Sequence, residues 1–600
     1  MSLEKVKMPE QPAGARSRNF MEVALGYDEG MAVEEAGRCL RCKARPCVAG
    51  CPVSVAIPDF VALVAESRFD EAYAKVGEAN ALPAICGRVC PQETQCEQLC
   101  VRGRKGEPVA IGRLERFLGD RRIAMGGGRS AAGAEDGSGS KGGTGGNGGA
   151  TAAGATTVAA AGATAAAAAT AASEAGSAAA STAGGAARGA GATVASAAAA
   201  AGVASASAAA PCATPASEAG SAAVASEAGS PAARAAAAAD VAAAGAAHAA
   251  GTAAAGATTV GADAAGAPAT VASAAYGRKV AVVGSGPASL TCAGELAKRG
   301  CRVTVFEAFH VAGGVLMYGI PEFRLPKLLV QQEIGQLADL GVRIELNAVV
   351  GKTLDMADLW DEGYEAVFIG TGAGLPTFMR IPGENLCGVY SANEYLTRIN
   401  LMKGYSFPEA DTPVMRGRSV AVFGGGNVAM DAARCAKRLG ADSVRIVYRR
   451  SEKEMPARAE EARHAAEEGV EFRLLTNPVG ILGDGKGWVR GIECVRMELG
   501  EPDASGRRRP AAVAGSEFEI PADTVIVAIG QSPNPIIRGA LPELKTESWG
   551  GIIADEATGA TSIKGVYAGG DAVTGAATVI LAMGAGKAAA KAMCEYLGAL

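Results

Sequence analysis

The chain has 600 residues, enough for three or four domains, with 20% charged residues and a formal net charge of −5. That charge and a pI of about 5.7 leave no electrostatic footprint for nucleic acid or an anionic membrane surface. Aromatic residues, only 4% of the chain, crowd into roughly 1–125 and 276–600; those two parts can bury a core and the stretch between them cannot.

The opening residues MSLEKVKMPE carry no apolar stretch and no cleavage site, so no signal peptide is expected. No run of about 20 strongly apolar residues occurs either. A reducing cytoplasm is the expected compartment. Fifteen cysteines in that setting, eight of them between Cys39 and Cys100, argue for metal ligation rather than disulfides.

Residues 1–125 read as short helices between cysteine loops, with apolar residues at helical spacing over 57–76. The first group is Cys39-x2-Cys42-x4-Cys47-x3-Cys51-Pro52 and the second is Cys86-x3-Cys90-x5-Cys96-x3-Cys100. Close spacing lets several thiolates reach one compact cluster, and a trailing Cys-Pro is a ferredoxin-like feature. Zinc held by Cys39, Cys42, Cys47 and Cys51 is the rival. Iron–sulfur is favoured, because a flavin domain in the same chain needs an electron outlet.

From 126 to 276 the chain is almost all Ala, Gly, Ser and Thr, and the fragment SEAGS recurs at Ser173, Ser217 and Ser226. Few side chains there can offset the entropy of ordering, so a disordered linker is expected.

Structure resumes at Gly277 with a strand, glycine turn, helix and second strand. The turn is Gly284-Ser285-Gly286-Pro287-Ala288-Ser289, with Ser where Gly or Ala is usual. Its glycines let the chain turn tightly and approach a pyrophosphate at a helix N-terminus. Glu307, at the end of the next strand, can accept hydrogen bonds from ribose hydroxyls. The unit repeats from Gly417, where the turn is Gly424-Gly425-Gly426-Asn427-Val428-Ala429. Here the second strand ends in Tyr448-Arg449-Arg450, with no carboxylate. A carboxylate repels a 2′-phosphate and a guanidinium pair attracts one. The first site therefore suits FAD and the second NADPH, with Arg458 near enough in sequence to join the arginines. Residues 523–530 and 565–573 read as buried strands ending in glycine turns.

The motifs CGRVCPQETQCEQLC, AIGRLERF, YGIPEFRLPK, YRRSEKEMPAR and YAGGDAVTGAATV jointly resemble the NADPH-dependent glutamate synthase small subunit family. Relatives of that family include the large subunit of the NADH-dependent ferredoxin:NADP oxidoreductase and the N-terminal half of dihydropyrimidine dehydrogenase. The resemblance covers roughly 16–125 and 277–600. It implies an α/β protein with an N-terminal helical double iron–sulfur domain (1–125), an FAD domain in two parts (277–415 and 526–600) and an NADPH domain between them (416–525); the linker (126–276) is absent from the family pattern.

It further implies two 4Fe–4S clusters, one held by Cys39, Cys42, Cys47 and Cys100, the other by Cys51, Cys90, Cys96 and Glu115, with Cys86 left out. By spacing alone Cys86 competes with Glu115. Gly314, Arg324, Gly570, Asp571, Thr578 and Val579 are implied contacts of the bound cofactors.

No side chain is expected to act as a catalytic acid or base. Of the three histidines, His248 falls in the linker and His464 reads as a surface residue of a charged helix. Nothing resembles a glutaminase or a synthase site, so the resemblance implies a second subunit. That partner is either the large subunit of glutamate synthase or, in an electron-bifurcating transhydrogenase, a small FAD/2Fe–2S subunit.

Overall fold

The computed structural model describes residues 2–126, 277–503 and 506–598. The linker expected at 126–276 lies outside the described residues, save Gly126 at the end of a helix. No helix among the described residues is long and apolar enough to cross a membrane.

The N-terminal part is helical. Its main helices are Glu29–Ala36, Ile57–Ala65, Phe69–Gly77, Pro83–Val89 and Ile111–Gly126. Asp28 starts the first by accepting a hydrogen bond from the Met31 N–H. The periodic stretch 57–76 is two helices rather than one, broken where Ser67 takes a φ of +57°. The buried residues before the break (Ile57, Phe60, Val61, Val64) and after it (Phe69, Ala72, Val76) explain the break. At about 100° per residue the two faces would lie roughly 100° apart on one straight helix, and one would face water.

The first βαβ unit builds a five-stranded parallel sheet in the order Val566–Ala568, Ala366–Ile369, Lys279–Val283, Arg302–Phe306, Arg343–Glu345. The order reverses at Lys279–Val283, so the Gly284 turn opens at the crevice where such sheets take their ligands. The strand Val566–Ala568 returns from the far end of the chain to the edge of this sheet.

The second βαβ unit builds another five-stranded parallel sheet, ordered Val389–Ser391, Thr524–Val527, Ser419–Phe423, Ser443–Tyr448, Glu471–Leu474. Two of these strands shift the expected boundaries at 415/416 and 525/526. Val389–Ser391 is only three residues long and has no apolar period to mark it, and Thr524–Val527 reads equally well as a buried strand of either sheet. The chain crosses between the sheets through the antiparallel pair Leu375–Pro376 and Gln531–Ser532. A small antiparallel sheet of Thr476–Gly483, Val489–Pro502, Arg508–Ala512 and Phe518–Pro521, unforeseen in the sequence, completes the second unit.

Candidate functional site

A cavity of about 420 Å³ opens beside the first glycine turn. It is lined by Gly284, Gly286, Pro287, Ala288, Glu307, Gly314, Arg324, Asn427, Val428, Gly570, Asp571, Thr578 and Val579, residues scattered over almost 300 positions. Gly284 has a φ of +91°, and a Cβ there would meet the Gly370 carbonyl at 2.7 Å, so only glycine makes this turn. Gly286 differs: a Cβ there would meet nothing nearer than the Gly370 carbonyl at 4.0 Å, leaving room for a pyrophosphate. Ser289, the departure from the usual pattern, is fully buried and donates its hydroxyl to the Gly370 carbonyl at 3.3 Å.

Glu307 is held in place by the turn it serves. One carboxylate oxygen accepts from the Ser285 N–H at 2.9 Å and from the Ser285 hydroxyl, the other from the Phe309 N–H at 2.8 Å. A carboxylate has about four acceptor positions, so capacity remains for a ribose diol. At the opposite wall Thr578 caps the long helix Val579–Tyr596, accepting from the Leu581 N–H at 3.3 Å. Asp571 accepts from the Ala577 N–H at 3.2 Å, and burial raises its pKa. Burial also pushes the Tyr318 hydroxyl at the cavity wall up to about 12.

The remaining nucleotide residues lie around the second turn. Gly424 has a φ of +135°, and a Cβ there would meet the Ala528 carbonyl at 2.3 Å. Gly426 precedes the helix Asn427–Arg438, and a Cβ there would meet nothing nearer than Pro456 at 4.0 Å. Beyond the strand, Arg449 and Arg450 differ in freedom. Arg450 is buried, donating to the Arg508 carbonyl at 2.9 Å and pairing with Asp503 at 3.1 Å. Arg449 is exposed, with no partner among the described residues. Arg458 does not join them. Its guanidinium reaches into the N-terminal part, to the Arg88 carbonyl at 3.0 Å, Gln92 at 3.2 Å and Glu93 at 3.2 Å. Sequence proximity misleads there because the backbone turns away through Glu452–Glu454 and Pro456 before Arg458.

The cysteines form two electrostatic sets. Cys39 and Cys47 feel the charges of Cys100 and each other's neighbours, Cys42 included. Cys51, Cys90 and Cys96 feel Glu115 and one another, and Cys86 adjoins Cys51 and Cys90. The first set is partly exposed; in the second, Cys86, Cys90 and Cys96 are buried. Burial pushes the Cys47 thiol up to about 11 and the Glu115 carboxyl up to about 7, the latter opposed by a hydrogen bond from Asn80 at 2.7 Å. Cys86 packs its sulfur against Met583 at 3.4 Å and Asn80 at 3.7 Å.

Among the described residues no three cysteine sulfurs lie mutually within 4.8 Å. A tetrahedral zinc–thiolate site holds its sulfurs about 3.8 Å from one another. Among the described residues the one trio of such ligand atoms mutually within 4.8 Å is Glu10, Glu460 and His464, and no cysteine is in it. Cys51 moreover stands with the second set. Two groups of four cysteines suit multi-iron clusters. His464, expected at the surface, is buried, bound to Glu10 at 3.1 Å beside Arg463.

Val89 and Pro91, which flank Cys90, also line the 420 Å³ cavity. Both lie in the motif CGRVCPQETQCEQLC, but its spacing does not reveal this contact; only the fold brings the cysteine field to the cavity wall.

Residues 16–127 match the family model for dihydropyrimidine dehydrogenase domain II, 4Fe–4S cluster, and residues 278–586 match that for pyridine nucleotide-disulphide oxidoreductases. The chain is 30% identical over 603 aligned residues to the glutamate synthase [NADPH] small chain of Escherichia coli, covering 100% of this chain and 98% of that one. The chain belongs to the glutamate synthase small-chain family of pyridine nucleotide oxidoreductases. The Azospirillum brasilense small chain is likewise 30% identical, over 98% of this chain and 94% of its own. Another relative is the NADP(+)-dependent formate dehydrogenase subunit beta of Moorella thermoacetica, at 34% identity over 92% of this chain. This chain spans 60% of that subunit's length. As a small-chain family member the protein is an NADPH-dependent oxidoreductase using FAD and 4Fe–4S clusters.

Proposed function

We propose that the chain is the electron-input subunit of a glutamate synthase, drawing on NADPH and delivering single electrons to a second, glutamate-forming subunit. The observation that carries this reading is the shared wall at Val89 and Pro91, which puts Cys90 next to the flavin cavity and leaves the partly exposed cysteine set as the exit.

In this reading Gly284, Gly286 and Glu307 would hold the pyrophosphate and ribose of FAD, and Gly570, Asp571, Thr578 and Val579 would line its flavin end. Asn427 and Val428, from the second turn, line the same cavity, so a nicotinamide nucleotide held at that turn would reach the same space as the FAD. The chain supplies position and exclusion of water: the cavity closes between two sheets, with Arg324 anchored to Asp431 at its seam. FAD supplies the change from hydride to single electrons, and the clusters carry them outward. Cys51, Cys90, Cys96 and Glu115 would hold the inner cluster; Cys39, Cys42, Cys47 and Cys100 would hold the outer one.

A second reading has support in the Moorella relative, whose name is that of a formate dehydrogenase subunit. There the same electron chain serves another partner, as it would in a bifurcating transhydrogenase. Reconstitution separates the two. With a glutamate synthase large chain added, the first reading expects NADPH oxidation that requires both glutamine and 2-oxoglutarate. Oxidation that ignores both substrates, yet proceeds with ferredoxin, overturns it.

A further inference from the structure

Arg458 stands between the second glycine turn and the inner cysteine set. Its backbone is tied to the turn: the Arg458 N–H donates to Asn427 Oδ1 at 3.0 Å, and the Ala457 N–H donates to the Gly425 carbonyl at 3.2 Å. Its side chain, 9% exposed, is tied to the helical part. Nη1 donates to the Arg88 carbonyl at 3.0 Å, Nη2 to Gln92 Oε1 at 3.2 Å and Nε to Glu93 at 3.2 Å; Glu460, at 3.4 Å, is its one partner in its own helix. The first three acceptors flank Cys90 on both sides. Gln92 carries the contact inward: its amide donates to the Cys86 carbonyl at 3.2 Å, which also accepts from the Cys90 N–H at 3.1 Å.

A planar guanidinium has its donors in fixed directions, so it cannot shift without its acceptors. We infer that Arg458 is a positioning residue, which carries occupancy of the second glycine turn to the peptide around Cys90, so that the surroundings of the inner cluster differ between nucleotide-bound and nucleotide-free protein. The inference rests on the reading above that the second turn takes NADPH and that Cys90 holds a cluster. It adds a link between the two that does not pass through the flavin. Linkage makes the effect reciprocal: whatever the nucleotide does to reduction of the inner cluster, reduction does to nucleotide affinity by the same factor. The far end of the same helix, Pro83–Val89, is held separately. There Glu333, 1% exposed, accepts from the Ala84 N–H at 2.8 Å and the Ile85 N–H at 3.2 Å, with no bond to either glycine turn among the described residues.

Amide hydrogen exchange of the oxidised full-length holoprotein, with and without NADP+, reads this directly, because oxidised flavin and NADP+ do not react. NADP+ should slow exchange at 424–430, and also at 86–95 by about fivefold or more. In Arg458→Ala the first effect should remain and the second disappear, with iron and FAD content unchanged. Arg458→Lys keeps the charge but cannot serve three acceptors in fixed directions, so it should recover only part of the response. Glu333→Gln should speed exchange at 84–90 with and without NADP+ alike and leave the response to NADP+ in place. Electron paramagnetic resonance of the dithionite-reduced protein gives a second readout, since NADPH cannot reduce a flavin already reduced. Adding NADPH should change the inner cluster's signal in the wild type and not in Arg458→Ala.

A wild type in which NADP+ slows exchange at 424–430 and leaves 86–95 untouched overturns the inference, as does an Arg458→Ala protein that responds at both places. So does loss of iron in both Arg458 variants, since the guanidinium would then hold the cluster site whether or not a nucleotide is bound. Failure of the underlying reading shows elsewhere, as a wild type whose exchange at 424–430 ignores NADP+.

Discussion

One guanidinium nitrogen of Arg324 reaches both carboxylate oxygens of Asp431, at 2.8 and 2.6 Å, joining the loop after the first glycine unit to the helix of the second. Glu461 takes the Nε of the same arginine at 3.1 Å, and all three side chains are almost completely buried. Beside them Phe323 lies against Arg434 and Arg438, whose guanidinium carbons are 4.6 and 3.7 Å from its ring centre. Removing one partner of a buried ion pair leaves an uncompensated charge, at a cost of about 3–5 kcal/mol. Arg324→Ala strands Asp431, while Glu461 keeps Arg434 as a partner. The variant should lower stability by about that amount, read from urea unfolding of the holoprotein. Arg324→Lys should recover only part, because a point charge cannot serve two carboxylates in fixed directions. A loss below about 1 kcal/mol would mean the seam is held by packing.

The same network predicts an acid limit. Burial pushes the Glu468 carboxyl up, but hydrogen bonds from Arg438 and Arg434 outweigh it and hold the pKa at about 2. Arg16 of the N-terminal arm reaches the same carboxylate at 3.1 Å. A pKa lower in the folded than in the unfolded chain adds stability that is complete above about 4.5 and is lost as pH falls toward 2. A shift of that size corresponds to about 3 kcal/mol. Glu468→Gln should therefore be less stable at neutral pH and show a shallower loss between pH 5 and 2, in guanidinium titrations over that range. A variant whose stability falls as steeply as the wild type's would remove Glu468 from the acid limit.

The glycine turns, Glu307 and the cysteine groups are legible in the sequence because each depends on local spacing: a turn needs its glycines in consecutive positions, and neighbouring thiolates need short intervals. What stays hidden is made of long-range contacts. Val89 and Pro91 line the flavin cavity through contacts across some 200 positions, and no pattern around them announces it. Arg458 sits eight residues after Arg450 and looks like its companion, yet it turns toward Arg88 and Gln92. His464 reads as a surface residue in EEARHAAEEG until the N-terminal arm brings Glu10 across it. The strand Val389–Ser391 is too short to carry a period, so a boundary drawn from periodicity falls after it.

Glu115 and Cys86 compete for one place, and both stand beside Cys90 and Asn80: Glu115 accepts from Asn80 at 2.7 Å, and Cys86 lies against Cys90, Asn80 and Met583. The family resemblance implies the carboxylate as the ligand. Glu115→Ala should lose about half of the iron and sulfide and leave the other cluster's signal intact in electron paramagnetic resonance of the reduced protein. Cys86→Ser should keep both clusters. Asn80→Ala, which frees the carboxylate without removing it, should weaken the same cluster as Glu115→Ala. Loss of a cluster in Cys86→Ser with both retained in Glu115→Ala would reverse the assignment.

The two arginines after Tyr448 are equivalent in the sequence and unequal in the structure. Arg450 already holds the Arg508 carbonyl and Asp503, and Arg508 in turn pairs with Glu454 at 2.8 Å. Arg449 is exposed and uncommitted, so it is the guanidinium available to a 2′-phosphate. A charge-assisted hydrogen bond contributes about 1.5–3 kcal/mol, which is roughly 10- to 150-fold in affinity. Arg449→Ala should therefore raise the KM for NADPH by about that factor while the KM for NADH hardly moves, since NADH has no 2′-phosphate. Arg450→Ala should act differently. It removes the Arg508 carbonyl's donor and one of the partners of Asp503, so it should lower thermal stability and impair both nucleotides together. Bound FAD should stay at wild-type level in both variants, because Glu307 and its turn belong to the other sheet. Stopped-flow flavin reduction with each nucleotide, beside thermal unfolding, reads all of these at once. Equal losses for NADH and NADPH in Arg449→Ala would show that this side chain does not read the phosphate, and a wild type that prefers NADH would remove the NADPH assignment altogether.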